Sequence, residues 1–451
     1  MEFGALSLLP PLLAIALAIW TRQVYLSLAA GVWLGWTLLA GWNPLAGAAA
    51  AIEAAVVVLG DAGNARVILF TLVIGAVIAT IEASGGVRGF VDWLEHRRWV
   101  ASPRAAQLLA WSVGVVIFIE SNITVLVAGA ISRPLFDRYR VSREKLAYLI
   151  DSTSAPICVL IPLNAWGAYI LGILGGLGVA QPLTVMVEAI AFNFYAIFAA
   201  LLAAATAIWG LNFGGMRRAE ARVQEGVLLR PGSVPAVDTD VIAPPQREGV
   251  VPRARNMVLP IVALVGIMPL GLYVTGEGDI TAGSGSTSVL WAVLGALAVA
   301  WLLLLGQRMM GIGELTRIGL RGAGGLVGLA LILLLALALG NVTRELGTGV
   351  YVAAVVQGIF PPLVLLPLIF VVAAGIAFST GTSWGTFAIM LPISVPLAAA
   401  LGLPLAPFLA ASLSGGIFGD HASPISDTTI IASMAAAVDH IDHVRTQLPY
   451  A

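Results

Sequence analysis

The chain has 451 residues, of which 59% are hydrophobic and only 10% are charged, and its mean hydropathy is +0.97. Soluble domains carry about a quarter charged residues, so this composition excludes a soluble protein and indicates a polytopic membrane protein. The net charge of −1 gives no indication of a nucleic-acid partner, and the single Cys158 excludes an intramolecular disulfide and a cysteine-based metal site.

Long apolar runs predict the membrane-spanning helices, because about 20 such residues cross a bilayer. The first run has no basic residues before it, which favours a transmembrane helix over a cleaved signal peptide. Segment 45–60 is compatible with either a short span or an interfacial helix. The predicted spans are residues 5–20, 24–41, 66–84, 105–119, 146–174, 183–209, 257–275, 287–306, 322–340, 350–378, 386–401 and 404–418.

Positive charge is concentrated in four connections, at 88–104, 133–145, 217–255 and 308–321. The connections at 175–182 and 276–286 carry no lysine or arginine. The basic connections are therefore predicted to be cytoplasmic. Segment 212–256 is polar and proline-rich and shows no hydrophobic period, so we interpret it as a cytoplasmic linker between an N-terminal membrane half, 1–211, and a C-terminal half, 257–451.

Each half contains two polar interruptions of its apolar helices. They are "FIESNITVLVAG" and "DSTSAPICVLIPLNAWG" in the first half, and "FSTGTSWGTFAIMLP" and "GDHASPISDTT" in the second. Pro156 and Pro424 each remove a backbone donor and disfavour helix at the residue before them. The pattern predicts broken helices or re-entrant hairpins, and paired interruptions of this kind point to a transporter binding site.

Four carboxylates, those of Glu120, Asp151, Asp420 and Asp427, lie beside these interruptions and beside hydroxyl side chains. A carboxylate within a membrane span marks an ion or proton pathway by default. Sodium is a hard cation, so it prefers carboxylate, hydroxyl and carbonyl oxygens. The alternative is that an aspartate only caps a helix, and the sequence leaves this open.

Other polar and aromatic side chains near the interruptions have two interpretations. Asn164, Trp166 and Trp384 are candidates to line a substrate cavity, or they pack helices together. His421 could sense pH or orient Asp420, or it could hydrogen-bond a loop.

The end of the chain carries two further histidines, His440 and His443, in "VDHIDHVRTQ". Their spacing could suit zinc, but the segment follows the last apolar run, so we predict a solvated helix face. The chain has no HExxH zinc motif. Asp420, His421 and Ser423 are too close in sequence to identify a catalytic triad, and we expect a protein that is not an enzyme.

Two segments resemble a known family. "GDHASPISDTTIIAS" followed by "DHIDHVRTQLPYA" resembles the C-terminal signature of NhaC-type Na⁺/H⁺ antiporters. "SREKLAYLIDSTSAPICVLIPLNAWGAYI", at 142–170, resembles the first-half motif of the same family. The resemblance runs over roughly 60–210 and 310–451. Members of this family usually continue into another apolar helix, so we expect a truncated form.

The resemblance implies the all-α fold of the ion-transporter superfamily, with two inverted repeats, re-entrant hairpins, broken helices and elevator-type architecture. It implies Na⁺/H⁺ antiport by alternating access, in contact with membrane lipid in a prokaryotic inner membrane, with no cofactor beyond the transported Na⁺ and H⁺. It leaves open whether the protein is a homo-oligomer.

This chain departs from the family at "FIESNIT", where many relatives have an "FDDYFN"-like stretch. Cation-coupled transport or exchange of a small carboxylate or amino acid at the same site therefore stays open, with Asn164, Trp166, Trp384 and His421 lining it. The expected cation- and proton-binding residues are Asp420, Asp427, Glu120, Asp151, Ser423, Ser426, Thr428, Ser121, Asn122, Thr124, Ser152, Ser154, Ser379, Thr380, Thr382 and Ser383.

Overall fold

The computed structural model describes residues 3–21, 23–96, 102–118, 121–162, 164–235, 251–279, 283–357 and 361–451. Within these ranges the ordered elements are helices and there is no β-strand, which confirms the predicted all-α class. Five of the described helices are long and apolar enough to cross a bilayer, or up to seven if each of two bent helix pairs counts as one span.

The elements follow one another along the chain as a series of mostly short helices. After a 3-10 turn at Gly4–Leu8 they are α1 (Leu9–Thr21), α2 (Val24–Leu39), α3 (Pro44–Gly60), α4 (Ala62–Ala83), α5 (Gly86–His96), α6 (Pro103–Val116), α7 (Ser121–Arg138), α8 (Arg143–Ser152), α9 (Ala155–Leu160), α10 (Ala165–Gly176), α11 (Pro182–Ile190), α12 (Phe194–Trp209), α13 (Gly214–Gln224), α14 (Arg255–Thr275), α15 (Gly285–Gly306), α16 (Ile312–Gly325), α17 (Val327–Glu345), α18 (Thr348–Gln357), α19 (Pro362–Thr380), α20 (Ser383–Ala400), α21 (Leu405–Ala422), α22 (Asp427–Ala436) and α23 (His440–Gln447).

Four of the predicted spans are wrong as continuous helices. Span 146–174 is divided among α8, α9 and α10, span 183–209 between α11 and α12, span 322–340 between α16 and α17, and span 350–378 between α18 and α19. Apolarity alone does not separate a helix from two half-helices, whereas proline and capping side chains do. Pro156 lies in the first turn of α9, and Asn164 caps α10 by accepting from the backbone N–H of Gly167.

The ambiguous segment 45–60 forms a helix of 17 residues, α3, which is bent by 119° from α2. Asn43 caps its N-terminus by accepting from the backbone N–H groups of Leu45 and Ala46, and Pro44 occupies the first position. The sharp bend arises in the turn before this cap, where Trp42 leaves helical geometry with a φ of +65°.

All four polar interruptions lie at helix breaks, as predicted. The breaks separate α6 from α7, α8 from α9 and α10, α19 from α20, and α21 from α22. Two glycines, Gly415 and Gly419, let α21 approach α19 closely, because a Cβ at either position would collide with the carbonyl oxygen of Phe370 or Ala374. This close packing holds the breaks that follow α19 and α21 beside each other.

The first part of the predicted linker is an amphipathic helix, α13, so the prediction of a segment without hydrophobic period is wrong there. Met216, Ala219 and Val223 are buried and follow the spacing of one helix face. Arg222, next to Val223, forms a salt bridge of 2.7 Å with the buried Glu144 of α8. This part of the predicted linker therefore packs against the rest of the protein through both apolar and charged contacts.

The linker continues from α13 to the C-terminal helix α23. Arg230 binds both carboxylate oxygens of Asp442, at 3.0 and 3.1 Å. The backbone N–H of Val234 donates to Asp439, which caps α23. α23 therefore lies beside Arg230 and beside Arg143, which donates to the carbonyl of Ala437, and we call the side of the molecule formed by α13, α23 and these arginines the basic side.

A cavity of about 550 Å³ lies among the connections that carry no positive charge. Most of its polar lining comes from the segments at 61–64, 180–182 and 283–286. Its polar residues include Asp61, Asn64, Gln181, Thr275, Ser284 and Ser286.

Candidate functional site

Asp420 forms the centre of one buried polar cluster, which we call the Asp420 centre. Its side chain is 1% exposed. The hydroxyl of Ser383 donates to Oδ2 at 2.9 Å, and the hydroxyl of Ser426 donates to Oδ1 at 2.6 Å. The hydroxyls of Ser426 and Thr428 are also in contact, at 3.0 Å. A single carboxylate is thus surrounded by serine and threonine oxygens.

Helix ends place these groups together. Asp420 lies in the last turn of α21, where the backbone carbonyls have no helical partners and the helix dipole is negative. Ser426 caps α22 and Thr382 caps α20, so Ser383 and Thr428 both lie in first turns. Gly381 ends α19 with a φ of +70°, and its Cα faces the carbonyl oxygen of Ile425 in the break between α21 and α22.

Asp151 forms a second buried cluster, the Asp151 centre, on the last turn of α8. Its Oδ2 accepts from the hydroxyl of Thr429 at 3.1 Å and from the side-chain amide of Gln447 at 2.7 Å. The Nε2 atoms of His421 and His443 lie 3.9 and 4.0 Å from the same oxygen. All five side chains are buried.

The first turn of α22 connects the two centres. Ser426 donates to Asp420 and, as the cap of α22, accepts from the backbone N–H of Thr429. The side chain of Thr429 in turn donates to Asp151. Asp420 and Asp151 are 269 residues apart in sequence (420 − 151). Both nevertheless accept hydrogen bonds from side chains at the N-terminal end of one helix, α22.

A chain of hydrogen bonds leads from the Asp151 centre through the two histidines of α23 to the break between α21 and α22. Nε2 of His443 is 2.8 Å from Oε1 of Gln447, and Nδ1 of His443 is 2.9 Å from the hydroxyl of Ser433. The same hydroxyl is 2.9 Å from Nδ1 of His440, whose Nε2 donates to the carbonyl of Pro424 at 2.6 Å. We call Ser433 and these two imidazoles the histidine pair.

The prediction of a solvated face for His440 and His443 is wrong. His443 is fully buried and His440 is half-buried. The reason is tertiary: α23 folds back against α8 and α22 instead of extending into solvent, and Asp439 and Asp442 take the polar side of the helix toward the linker.

The sequence pattern of the Na⁺/H⁺ antiporter family matches residues 157–451, more than half of the chain and all of its C-terminal site residues. The chain belongs to the Na⁺/H⁺ antiporter family. An uncharacterized protein of Haemophilus influenzae is similar over nearly the whole length, with 36% identity across 99% of this chain and 88% of that protein.

Two relatives whose names state a transport function are similar to shorter stretches of this chain. The malate-2H⁺/Na⁺-lactate antiporter of Bacillus subtilis is 38% identical over 87 residues, which cover 19% of each protein. The arginine/ornithine antiporter ArcD of Halobacterium salinarum is 39% identical over 88 residues, 20% of this chain and 18% of that one. The family identity makes this chain a multi-pass secondary transporter and not an enzyme.

Solved transporter structures share the fold of this family member. The YdaH transporter of Alcanivorax borkumensis superimposes with a TM-score of 0.61 at 14% identity, over 90% of this chain and 85% of that one. MtrF of Neisseria gonorrhoeae superimposes with a TM-score of 0.52 at 15% identity, over 85% of this chain and 77% of that one. At these identities the likeness concerns the fold alone.

The structure brings together part of the predicted site. Asp420, Ser383, Ser426 and Thr428 share one centre. Asp151 and Ser152 belong to the other, where Ser152 contacts Nε2 of His421 at 3.2 Å. Glu120 lies outside the described residues, and so do the side chains of Asn122 and Asp427, so their roles stay predictions.

Several predicted hydroxyls are used by nearby backbone. Ser423 donates to the carbonyl of Phe378, Ser154 to that of Asp151, Thr380 to that of Ile376 and Thr124 to that of Ile117, and Thr382 caps α20. Ser121 is buried at the first position of α7, and Ser379 is half-buried in the last turn of α19. These groups shape the helix breaks around the two centres.

Asn164 and the two tryptophans hold α10 in place. The amide of Asn164 donates to the carbonyls of Phe118 at 2.9 Å and Cys158 at 2.8 Å. The rings of Trp166 and Trp384 are 4.7 Å apart between centroids. Trp384 adjoins Ser383 in sequence, so this aromatic pair lies near the Asp420 centre.

Sequence reasoning missed Gln447, His443, Ser433 and Tyr195. The hydroxyl of Tyr195 lies 2.6 Å from Nδ1 of His421. One signal was available, because His443 and Gln447 are four residues apart and share a helix face. That face could not be recognised as buried from a segment with such a high share of charged and polar residues.

Proposed function

We propose that this family member exchanges Na⁺ for H⁺ across the membrane by alternating access. The observation that carries the proposal is the Asp420 centre, a buried carboxylate surrounded by the hydroxyls of Ser383 and Ser426 where broken helices meet. Hydroxyl and carboxylate oxygens suit a hard monovalent cation, and the C-terminal end of α21 adds a negative dipole.

Na⁺ would bind at Asp420 as the hydroxyl hydrogens of Ser383 and Ser426 rotate away from the carboxylate. Ser383 and Ser426 now donate to the carboxylate, and each hydroxyl also has two lone pairs. Rotation of these hydroxyls turns oxygen lone pairs toward an ion that lies against the carboxylate. Because burial disfavours an uncompensated charge, the centre holds a cation or a proton but is rarely empty and ionised.

Asp151 would carry the proton that is exchanged. It binds the same first turn of α22 as Asp420, so the two carboxylates interact electrostatically. Na⁺ at Asp420 compensates one negative charge, and this makes ionisation of Asp151 less costly. Sodium binding thereby favours release of a proton, which is the coupling that an antiporter requires.

We place the basic side, with α13 and α23, in the cytoplasm of a prokaryotic cell, and we place the cavity lined by Asp61 and Asn64 outside. The support is the distribution of arginine and lysine among the connections. The inverted-repeat arrangement of 1–211 and 257–451, and elevator-type motion, are part of the same proposal. Four helix breaks in matching order support them.

Proteoliposomes that contain a pH-sensitive dye test the exchange. Addition of Na⁺ should move protons without any organic solute, and Asp420→Asn should abolish this flux while the protein remains inserted. Ser383→Ala removes one neutral oxygen, which costs about 1–2 kcal/mol and raises the half-saturating Na⁺ concentration about 5- to 30-fold.

Ser394→Ala is the matched control, because Ser394 and Ser412 form a buried hydroxyl pair of 2.8 Å on the same two helices, away from Asp420. It should leave the half-saturating Na⁺ concentration unchanged. If Asp420→Asn retains full flux, Asp420 is not part of the cation site. If the unmodified protein shows no Na⁺-driven proton flux, the proposal of Na⁺/H⁺ exchange is wrong.

The second candidate is cation-coupled exchange of a small carboxylate or amino acid at the same site. Two relatives bear the names of a malate/lactate and an arginine/ornithine antiporter. Proton movement that starts only when a metabolite is supplied on the opposite side would favour this candidate over simple Na⁺/H⁺ exchange.

A further inference from the structure

The histidine pair has a hydrogen-bond pattern that two neutral imidazoles cannot satisfy. Nε2 of His440 faces the carbonyl of Pro424, which can only accept, so this nitrogen carries a hydrogen. Nε2 of His443 faces Oε1 of Gln447. The opposite orientation of this amide would turn its oxygen toward the carbonyl of His421, to which the amide nitrogen now donates at 2.8 Å.

Both Nε2 atoms are therefore donors, and in neutral rings both Nδ1 atoms would be acceptors. Each Nδ1 is 2.9 Å from the one hydroxyl of Ser433, which has a single hydrogen to give. At least one ring must consequently carry a second hydrogen and donate it to the serine oxygen. The carbonyl of Thr429, 2.8 Å from the same hydroxyl, competes with both Nδ1 atoms for its one hydrogen.

The surroundings can compensate the resulting positive charge. Burial alone opposes a charged imidazole, but the carboxylate of Asp151 lies 4.0 Å from Nε2 of His443. Among the described side chains, the other titratable group beside this carboxylate is His421 on α21, whose Nε2 lies 3.9 Å from Oδ2. On the outer side of α23, Asp442 is bound by Arg230.

Apart from Asp151, the carboxylates of α8 and α13, two of the three helices that pack against α23, already have other partners. Glu220 of α13 accepts from Ser142 at 2.6 Å, and Arg222 binds Glu144 of α8. Asp151 is thus the carboxylate with which the histidine pair exchanges charge.

We propose that His440, Ser433 and His443 form a proton relay that holds one excess proton and connects the basic side of the protein with Asp151. His440 is half-buried and holds the excess proton on Nδ1, which faces Ser433, whereas His443 is fully buried beside the carboxylate. This inference rests on the proposed proton-coupled exchange and adds the route of the proton to it.

The transfer step balances. Nδ1 of His440 gives its hydrogen to the oxygen of Ser433, and the hydroxyl hydrogen of Ser433 passes to Nδ1 of His443. One N–H bond and one O–H bond break, and one of each forms, so the charge moves from His440 to His443. A tilt of the ring away from Gln447 then lets Nε2 of His443 protonate Oδ2 of Asp151, which leaves a neutral ring.

Transport by the protein reconstituted in proteoliposomes tests the relay. Ser433→Ala and His443→Gln should lower Na⁺-driven proton flux by about 10²-fold, the usual contribution of a positioned proton-transfer group. In Ser433→Ala, exchange of ²²Na⁺ for Na⁺, which moves no net proton, should keep its half-saturating concentration within about twofold. Ser394→Ala again serves as the control.

Proton flux in both variants that stays within about twofold of the unmodified protein would overturn the relay and leave Na⁺/H⁺ exchange standing. Loss of ²²Na⁺ exchange together with proton flux would also overturn it, because that outcome indicates a structural role only. Absence of Na⁺-driven flux in the unmodified protein would instead refute the proposed function.

A measurement on the unmodified protein decides the protonation state independently of transport. Solid-state NMR of ¹⁵N-histidine-labelled protein in bilayers at about pH 7.5, above the ordinary imidazole pKa, should show an imidazolium. His440→Asn and His443→Asn assign its signals. Two neutral rings with hydrogen on Nε2 would refute the excess proton.

Discussion

Replacing Gly381 by alanine adds one methyl group at a position where it should strain the backbone and also disturb the cation site. Its φ is +70°, and a Cβ there would collide with the carbonyl oxygen of Ile425 in the break between α21 and α22. The neighbouring residue, Ser426, donates to Asp420 at 2.6 Å. Gly381→Ala should therefore disturb both the stability of the protein and its affinity for Na⁺.

The magnitude has two parts. Alanine in the left-handed region costs roughly 1–2 kcal/mol, and forcing a methyl group into packed structure costs about 1–3 kcal/mol more. To reach a normal contact distance the carbonyl of Ile425 must move by on the order of 1 Å. Such a shift weakens the bond from Ser426 to Asp420, and loss of about 1.4 kcal/mol raises the half-saturating Na⁺ concentration tenfold.

Gly402→Ala is the matched control. Gly402 has a φ of +66°, but a Cβ added there would have no atom within 4 Å, so its substitution adds strain without collision. Thermal unfolding followed by tryptophan fluorescence should show a decrease in melting temperature for Gly381→Ala at least twice that for Gly402→Ala. Only Gly381→Ala should change the Na⁺ dependence of flux. Equal stability losses and identical Na⁺ dependence in the two variants would refute the reasoning.

Two further substitutions test how the site is supported. Asn164→Ala removes donors to the carbonyls of Phe118 and Cys158 and should cost about 2–4 kcal/mol in thermal unfolding, whereas retained stability would show that these contacts are dispensable. Arg222→Ala leaves the carboxylate of Glu144 buried without its partner and should cost about 3–5 kcal/mol, and adding Glu144→Gln should recover part of that loss. If the double variant is no more stable than Arg222→Ala, the stranded charge is not the cause.

The helix breaks were predictable because their causes are local. Pro156 and Pro424 lack a backbone donor, and Ser426 and Thr382 are residue types that cap helices. The predictions of continuous spans at 183–209 and 350–378 were wrong because they relied on apolarity averaged over a long window. Mean apolarity over such a window is the same for one long helix and for two short ones.

The burial of His443 could not be predicted in the same way. Its helix, α23, has eight residues and is rich in charged and polar side chains, so its local pattern is that of a solvated helix. Burial arises from contacts with α8 and α22, and from Arg230 of the linker, which binds Asp442. None of these partners is adjacent to His443 in the sequence.

The sequence by itself determined that this is a membrane protein, where its four polar helix breaks lie and which carboxylates lie at them, because apolar length, proline and capping residues act over a few neighbouring positions. Only the tertiary structure decided that Asp420 binds Ser383 and Ser426, that Asp151 meets Thr429 and Gln447, and that the histidine pair connects to Asp151. The bond between Thr429 and Asp151 joins residues 278 positions apart. Such a contact depends on how whole helices pack, since a buried carboxylate must find its donors wherever the fold brings them.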